Sequence, residues 1–491
     1  MLRKIRILLA AILYIAVTLL FLGVSWRVNL WFGWVAKIQL LPALMALNFA
    51  VLAGLIILTL VFGRIYCSII CPLGVMQDLF AWLGRKSKKN RYRHSPEKKG
   101  LRYAVLAVFI LCLVIGFAPV TTLLAPYSAY GRIVNALFRP LYDLLINGLA
   151  AMETHFDSYL LSEAEIWLRS VTTFVVALLT LGVIGALAWR HGRTYCNTVC
   201  PVGTILSLLA RFSLLRIRID EDKCRKCSLC EKNCKAAAID FKTGTVDLTR
   251  CVVCGDCIDK CHDGAISFGP LRCKTADAVG PAAPGRRAFL TGAALAVGTA
   301  ALAQAKIKVD GGLAEIEDKQ APHRETPVTP PGSVSARNMQ RHCTACQLCV
   351  SACPNNVLRP STDPMRFMQP EMSFERGYCR PECTRCSQVC PTGAIQAIRQ
   401  EDKPFIHIGR VVWLEQNCIP VANGDHSGAC ARQCPSDAIH MVEHTTADGR
   451  RVQVPAVDQE RCIGCGKCEY ICPARPFSAI YVEGRGTHIV R

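Results

Sequence analysis

The sequence contains no G-x-x-x-x-G-K-[ST] phosphate loop and no G-x-G-x-x-G turn after a strand, which argues against an enzyme that oxidises a nicotinamide itself, and no visible signalling domain, which argues against a redox sensor. Acidic residues are scarce. There are 37 Asp and Glu against 57 Lys and Arg, a formal charge of +20, and charged residues make up only 19% of the chain. The basic surplus is not a nucleic-acid signature, because it is concentrated beside apolar segments. One run holds Arg85, Lys86, Lys88, Lys89, Arg91, Arg93, Lys98, Lys99 and Arg102, the pattern of a cytoplasmic loop between membrane spans.

What is abundant is cysteine and apolar surface: 29 cysteines and a hydrophobic fraction of 51% in 491 residues, too much of both for one ordinary soluble domain. The cysteines come in tight runs with two or three residues between them. Neighbours so close cannot be bridged as disulfides without strain, so the thiols are read as metal ligands.

Cys224, Cys227, Cys230 and Cys234, then Cys251, Cys254, Cys257 and Cys261, repeat the C-x2-C-x2-C-x3-C run of two-cluster [4Fe-4S] ferredoxins. Three thiolates hold three corners of one cubane, and the fourth reaches the neighbouring cluster. That logic assigns Cys224, Cys227, Cys230 and Cys261 to one cluster and Cys251, Cys254, Cys257 and Cys234 to the other. Structural zinc is disfavoured, since its C-x2-C halves usually pair across a longer loop. Lys235 and His262 stand where proline usually follows the fourth cysteine, a change near the cluster and not in its ligands.

A second cysteine-rich region has four groups: Cys343, Cys346, Cys349, Cys353; Cys379, Cys383, Cys386, Cys390; Cys418, Cys430, Cys434; and Cys462, Cys465, Cys468, Cys472. Pro354, Pro391, Pro435 and Pro473 follow their last cysteines. A nested exchange of final cysteines predicts that group one pairs with group four and group two with group three. Group three lacks a cysteine where Ser427 stands, beside His426 and Asp425. Its cluster uses an oxygen or imidazole ligand, is a three-iron form, or is absent.

Four stretches, residues 7–24, 40–62, 101–124 and 171–189, are apolar for about the 18 to 20 residues that a hydrocarbon core demands. Arg3, Lys4 and Arg6 precede the first, the basic run separates the second from the third, and Arg190 and Arg193 follow the fourth. Both ends of this bundle are therefore expected in the cytoplasm. Of the outer connections, 25–39 and 125–170, the longer has periodic apolar residues (Ile133, Leu137, Leu141, Leu144, Leu145) that predict a helix lying at the interface.

Two near-copies follow the second and fourth spans: Gly63-Arg64-Ile65-Tyr66-Cys67 with Cys71-Pro72-Leu73-Gly74, and Gly192-Arg193-Thr194-Tyr195-Cys196 with Cys200-Pro201-Val202-Gly203. At a spacing of four, each cysteine pair shares a helix face at the same membrane surface. Cys67, Cys71, Cys196 and Cys200 form a further metal centre, form a redox disulfide, or mark two helix ends packed by small residues. Cys112 reads as a packed small hydrophobe and Cys273 as a spare.

Gly285-Arg286-Arg287-Ala288-Phe289-Leu290 opens a fifth apolar segment ending in Ala303-Gln304-Ala305, a pattern that looks like a twin-arginine export signal. Fifteen thiols delivered unfolded to an oxidising compartment would pair before iron could bind, so folding before export has a physical reason. The other reading is a plain fifth span, and either places the last domain outside.

On these motifs, residues 1 to about 275 resemble NapH, a four-span membrane protein of periplasmic nitrate reduction with two C-x3-C-P motifs, here Cys67 to Pro72 and Cys196 to Pro201, and a cytoplasmic two-cluster ferredoxin. Residues 285–491 resemble NapG and MauM, exported four-cluster ferredoxins with a twin-arginine start, here Arg286 and Arg287, and a Pro-Pro-Gly lead, here Pro330 to Gly332. The resemblance implies a quinol dehydrogenase component that oxidises membrane quinol and relays electrons to a periplasmic redox partner. The alternatives are an assembly or redox-maturation factor for a metalloenzyme, with the four membrane-surface cysteines handling metal or reductant, and a membrane redox sensor.

The expected architecture is multidomain: an α-helical membrane bundle of four spans (1–215), a cytoplasmic α+β ferredoxin-like domain (216–275), a linker with a signal or fifth anchor helix (276–335, the helix at 286–305), and a periplasmic polyferredoxin domain (336–491). About five to six [4Fe-4S] clusters are expected, two in the first ferredoxin-like domain and three or four in the second. Membrane lipid, quinol and a periplasmic redox protein are the expected partners, nucleic acid is not, and the expected location is a bacterial inner membrane.

Overall fold

A computed structural model of the chain describes residues 2–87, 92–155, 166–270 and 317–491. Lys88, Lys89, Arg91, Cys273, the paired Arg286 and Arg287 and the apolar segment through Ala305 lie outside the described residues, and with them the expected signal or fifth span.

Helix α1 (Leu2–Leu22) turns Val17, Leu20 and Phe21 inward and leaves Ile5, Leu8, Leu9, Ile12 and Ile15 exposed. Ser25 then caps α2 (Trp26–Lys37) by accepting from the Arg27 amide. The expected second span is two helices, α3 (Leu40–Met45) and α4 (Phe49–Phe62). Leu47 takes φ +51° between them, and the Asn48 side chain caps the new helix by accepting from the Val51 amide. Beyond α5 (Tyr66–Ile69) and the amphipathic α6 (Pro72–Lys86), the expected third span is also interrupted. It forms α7 (Lys99–Ile115) and α8 (Ala118–Leu124), with Gly116 ending α7 in the left-handed conformation at φ +83°.

The loop expected to lie at the interface divides in two. α9 (Pro126–Ile133) is buried throughout, with Tyr127 and Tyr130 against Phe21 at ring separations of 5.4 and 6.3 Å. Each large apolar side chain buried there contributes about 1.5–3 kcal/mol. After a π-helical turn (Val134–Phe138), α10 (Arg139–His155) exposes Leu141, Leu144 and Leu145, so only this half has the apolar outer stripe that the periodicity predicts. α11 (Val171–His191), α12 (Thr194–Thr198) and α13 (Pro201–Ala210) repeat the succession of α4, α5 and α6. α1 and α11, at 21 residues each, are long and apolar enough to cross a membrane by length and composition.

The first cysteine-rich module is framed by an antiparallel pair, Leu215–Ile219 with Ile266–Pro270, and a smaller pair, Ile239–Asp240 with Thr245–Val246. The second is built on Ile406–Trp413 paired with Ile480–Val490, Ile439–Thr445 with Arg451–Val457, and Leu358–Pro360 with Pro370–Met372, all antiparallel.

The modules sit at opposite ends of the two long helices. At the start of α1, Arg3 pairs with Asp256 at 3.0 Å and Asp259 at 2.8 Å in the first module. Just past its end, a Cβ on Gly23 would stand 2.9 Å from the Ser351 carbonyl oxygen in the second. α11 runs the other way. Arg169, before its start, donates to Asn356 Oδ1 at 3.3 Å, and Gly192 (φ +68°), after its end, lies so close to Lys235 that a Cβ would meet that carbonyl at 2.2 Å. A helix of this length spans about 30 Å.

Candidate iron-sulfur sites

Each C-x2-C-x2-C loop has one backbone device. The residues flanking the middle cysteine are left-handed: Lys226 and Ser228 around Cys227, Val253 and Gly255 around Cys254, Ala345 and Gln347 around Cys346, and Gly464 and Gly466 around Cys465. Five of these eight are neither glycine nor asparagine. Holding a non-glycine residue there costs about 1 kcal/mol or more, a strain that marks functional loops. Such conformations turn successive N–H groups into a concavity, the arrangement that cradles an anionic group.

Around these loops the thiols gather in five sets of four, with one set of three. Cys224, Cys227, Cys230 and Cys261 line one cavity, and Cys251, Cys254 and Cys257 stand within electrostatic reach of Cys234. In the second module Cys343, Cys346 and Cys349 gather with Cys390, while Cys379, Cys383 and Cys386 line a cavity with Cys353. Cys462, Cys465 and Cys468 share a cavity with Cys434, and Cys418 and Cys430 gather with Cys472.

This corrects the nested pairing expected from the sequence. Groups one and two exchange their last cysteines, as do groups three and four, so Cys390 and not Cys472 completes the set of Cys343. The exchange is between sequence neighbours because a shorter loop loses less chain entropy on closure. Cys418, Cys430 and Cys472 have no fourth cysteine among the described residues, and His426 and Asp425 beside Ser427 are exposed.

Amide groups donate to the exchanged thiols: Ala238 to Cys234 at 3.4 Å, Ile395 to Cys390 at 3.4 Å, Ala438 to Cys434 at 3.3 Å and Ala479 to Cys472 at 3.4 Å. Burial pushes the Cys251 and Cys346 thiols up to about 12, and Cys234 and Cys430 to about 11. Thiols so placed stay protonated at neutral pH and are poor nucleophiles, but iron displaces the proton. Among the described residues no three Cys, His, Asp or Glu side chains are close enough for a single metal ion. Four thiols with amides donating to them are the donor set of a cubane cluster.

The two near-copies come together as well. Cys67, Cys71, Cys196 and Cys200 are all buried, and Cys200 lies within electrostatic reach of the other three. Pro72 and Pro201 each open a helix at its first position, where no amide is needed. Gly74 and Gly203 let those helices settle on the preceding cysteine. A Cβ would stand 2.2 Å from the Cys67 carbonyl oxygen in one copy and 2.3 Å from that of Cys196 in the other. Gln77 Nε2 lies 3.3 Å from Cys196 Sγ, and the Gly203 amide donates to Cys200 Sγ at 3.4 Å.

This quartet is joined to both modules. Arg64 Nη1 donates to the Thr249 carbonyl at 2.8 Å and Asn197 Nδ2 to the Ala236 carbonyl at 2.9 Å, beside Cys251 and Cys234 of the first module. On the other side Tyr66 and Tyr195 border the quartet, and Tyr127 lies within reach of Tyr66, Cys346 and Cys390. Asp78 holds the near end together, accepting from Arg193 Nε at 2.7 Å and pairing with Arg6 and Lys235 at 2.9 Å each. Burial alone would raise this carboxyl, but Arg193, Lys235 and Arg6 hold it well below the usual range. In the sequence Arg6 and Arg193 are topological signals and Gly74, Gly203, Tyr66 and Tyr195 belong to the repeat, whereas Asp78 and Tyr127 stand in no motif. The repeated C-P-x-G spacing was the available signal for the two glycines.

A family model described as a 4Fe-4S dicluster domain matches residues 342–394, which hold groups one and two, and 425–475, which hold group four and all of group three but Cys418. Another, described as a 4Fe-4S binding domain, matches 44–90, 172–220 and 386–403, so it takes in both copies of the quartet motif. MauM of Methylorubrum extorquens, a methylamine utilization ferredoxin-type protein, is 30% identical over 39% of this chain and 86% of its own length. The chain belongs to the ferredoxin-type family that includes MauM. Its ferredoxin-type character extends to NapG of Escherichia coli, 29% identical over 34% of this chain and 77% of that protein. YccM of Escherichia coli, a protein named for electron transport, is 24% identical over 45% of this chain and 55% of its own length. Among its relatives the chain spans as little as 39% of one protein's length. No solved structure matches it significantly. As a ferredoxin-type protein it carries multiple [4Fe-4S] clusters and transfers electrons.

Proposed function

We propose that this protein oxidises quinol at a bacterial inner membrane and conducts electrons across it to a periplasmic redox partner. A NapH-like part (1–275) holds the entry end and a NapG-like part (285–491) the exit. The observation that carries this reading is the placement of α1 and α11, each with one end on the first module and the other on the second. If these helices span the bilayer, with α4 and α7 completing a bundle of four, the modules lie on opposite faces.

In this reading Cys224, Cys227, Cys230 and Cys261, and Cys251, Cys254, Cys257 and Cys234, ligate the two cytoplasmic clusters. Cys343, Cys346, Cys349 and Cys390, Cys379, Cys383, Cys386 and Cys353, and Cys462, Cys465, Cys468 and Cys434 ligate three periplasmic ones, and Cys418, Cys430 and Cys472 serve a fourth. Cys67, Cys71, Cys196 and Cys200 hold a further redox centre part-way across. A cluster supplies one-electron chemistry when bound. The chain's own residues bury it, donate amides to its thiolates and keep Arg64 and Arg193 beside the quartet to balance negative charge. Tyr66 and Tyr195 beside the quartet and Tyr127 between Tyr66 and Cys346 put polarisable rings on the path toward the second module.

Protease protection on intact and burst spheroplasts tests the arrangement. Residues 336–491 are expected to be cut in intact spheroplasts and residues 216–275 only after bursting. Protection of both in intact spheroplasts would end the conduit reading.

A further inference from the structure

We infer that the quinol headgroup binds in the cavity between α1 and α6, at the end of the bundle that carries the first module; this rests on the quinol reading above. The cavity measures about 460 Å³, within the range of small-molecule sites. Its long walls are apolar: Ile7, Ala11 and Ile15 on α1 face Val75, Leu79 and Trp82 on α6. Ile7, Ile15, Leu79 and Trp82 are exposed, so the mouth opens onto the apolar flank of the helices, where an isoprenoid tail would lie.

The closed end is polar. Arg6, Asp78, Lys235 and Asp256 line it, and Arg6 Nε is buried without a hydrogen-bond partner although Arg6 is only 6% exposed. An unsatisfied buried donor costs about 1–3 kcal/mol. A quinone or quinol oxygen seated there relieves that cost. Apolar walls leading to a free N–H donor, with carboxylates for hydroxyl groups, suit a hydroquinone with an apolar tail. The same end adjoins the redox site, for Lys235 follows Cys234 directly and both Lys235 and Arg6 lie within electrostatic reach of Cys254.

Oxidation of one hydroquinone to quinone releases two electrons and two protons. The two four-cysteine sites of the first module would hold the clusters that accept these electrons one at a time. The two protons leave to water.

Two variants of the full-length detergent-solubilised protein test this. Ala11→Trp fills the slot from an exposed helix position, and Arg6→Lys keeps the charge beside Asp78 while removing Nε–H. Bleaching of cluster absorbance by a reduced short-chain quinol is followed, with dithionite bleaching and iron content as controls. The expected result is a quinol KM raised roughly tenfold or more in each variant, the loss of one good contact, with both controls at wild-type values. A wild-type quinol KM in Ala11→Trp, with quinol still bleaching the wild-type protein, overturns the site and leaves the quinol function standing. Failure of quinol to bleach the wild-type protein at all, with dithionite effective, overturns both.

Discussion

Arg193 donates from Nη1 to the carbonyl oxygen of Cys67 at 2.5 Å, and Arg64 returns the contact from Nη2 to the carbonyl oxygen of Cys196 at 3.1 Å. Each copy of the repeat thus clasps the first cysteine of the other through the arginine that follows its own glycine. Both arginines are wholly buried. The reciprocity explains how two segments more than a hundred residues apart bring four thiols to one place.

The clasp predicts a large cost at Asp78, which meets Arg193, Arg6 and Lys235. Asp78→Ala leaves three cations close together without their carboxylate, and removing one partner of a buried pair costs about 3–5 kcal/mol. A marked fall in the thermal midpoint is expected. Because the Asp78 carboxyl is held below its usual range, its stabilisation is present above the ordinary carboxylate pKa and is lost as pH falls below it.

Gly74→Ala and Gly203→Ala should each damage the quartet, since the added Cβ would stand 2.2 and 2.3 Å from a cysteine carbonyl held by backbone. Iron content is expected to fall by one centre in either variant. Gly54→Ala, where a Cβ meets nothing within 4 Å, should leave it unchanged.

The corrected cysteine exchange is open to a double-variant count. Cys343→Ser with Cys390→Ser strikes one site twice and should lose the iron of a single cluster. Cys343→Ser with Cys472→Ser strikes two sites and should lose correspondingly more. Iron analysis with low-temperature EPR separates the outcomes, and the reverse order of losses, with the Cys343 and Cys390 pair losing more than the Cys343 and Cys472 pair, would restore the nested arrangement.

His488 gives a pH dependence. Burial lowers its pKa from 6.5 to about 4, and Nε2 sits 2.9 Å from Thr329 Oγ1, so the fold accommodates the neutral ring. The unfolded chain binds the proton first as pH falls. The stabilisation is therefore complete above pH 6.5 and is lost on descending toward about 4. Between pH 7.5 and 5.5 the wild type should lose about 1.4 kcal/mol more than His488→Asn, measured by denaturant unfolding.

The local features of this protein were legible in its residues. The C-x2-C-x2-C spacing predicts three ligands to one centre because the loop that separates them is too short to do anything else. The runs at α1 and α11 predict long apolar helices because periodicity and length are properties of the segment alone. Which fourth cysteine completes a set, where Leu47 and Gly116 break two expected spans, how α9 sinks against Phe21, and how Asp78 gathers Arg6, Arg193 and Lys235 depend on partners far away in the chain. Those contacts form only when packing has brought the segments together, so their energy belongs to the tertiary fold and not to the spacing of neighbouring residues.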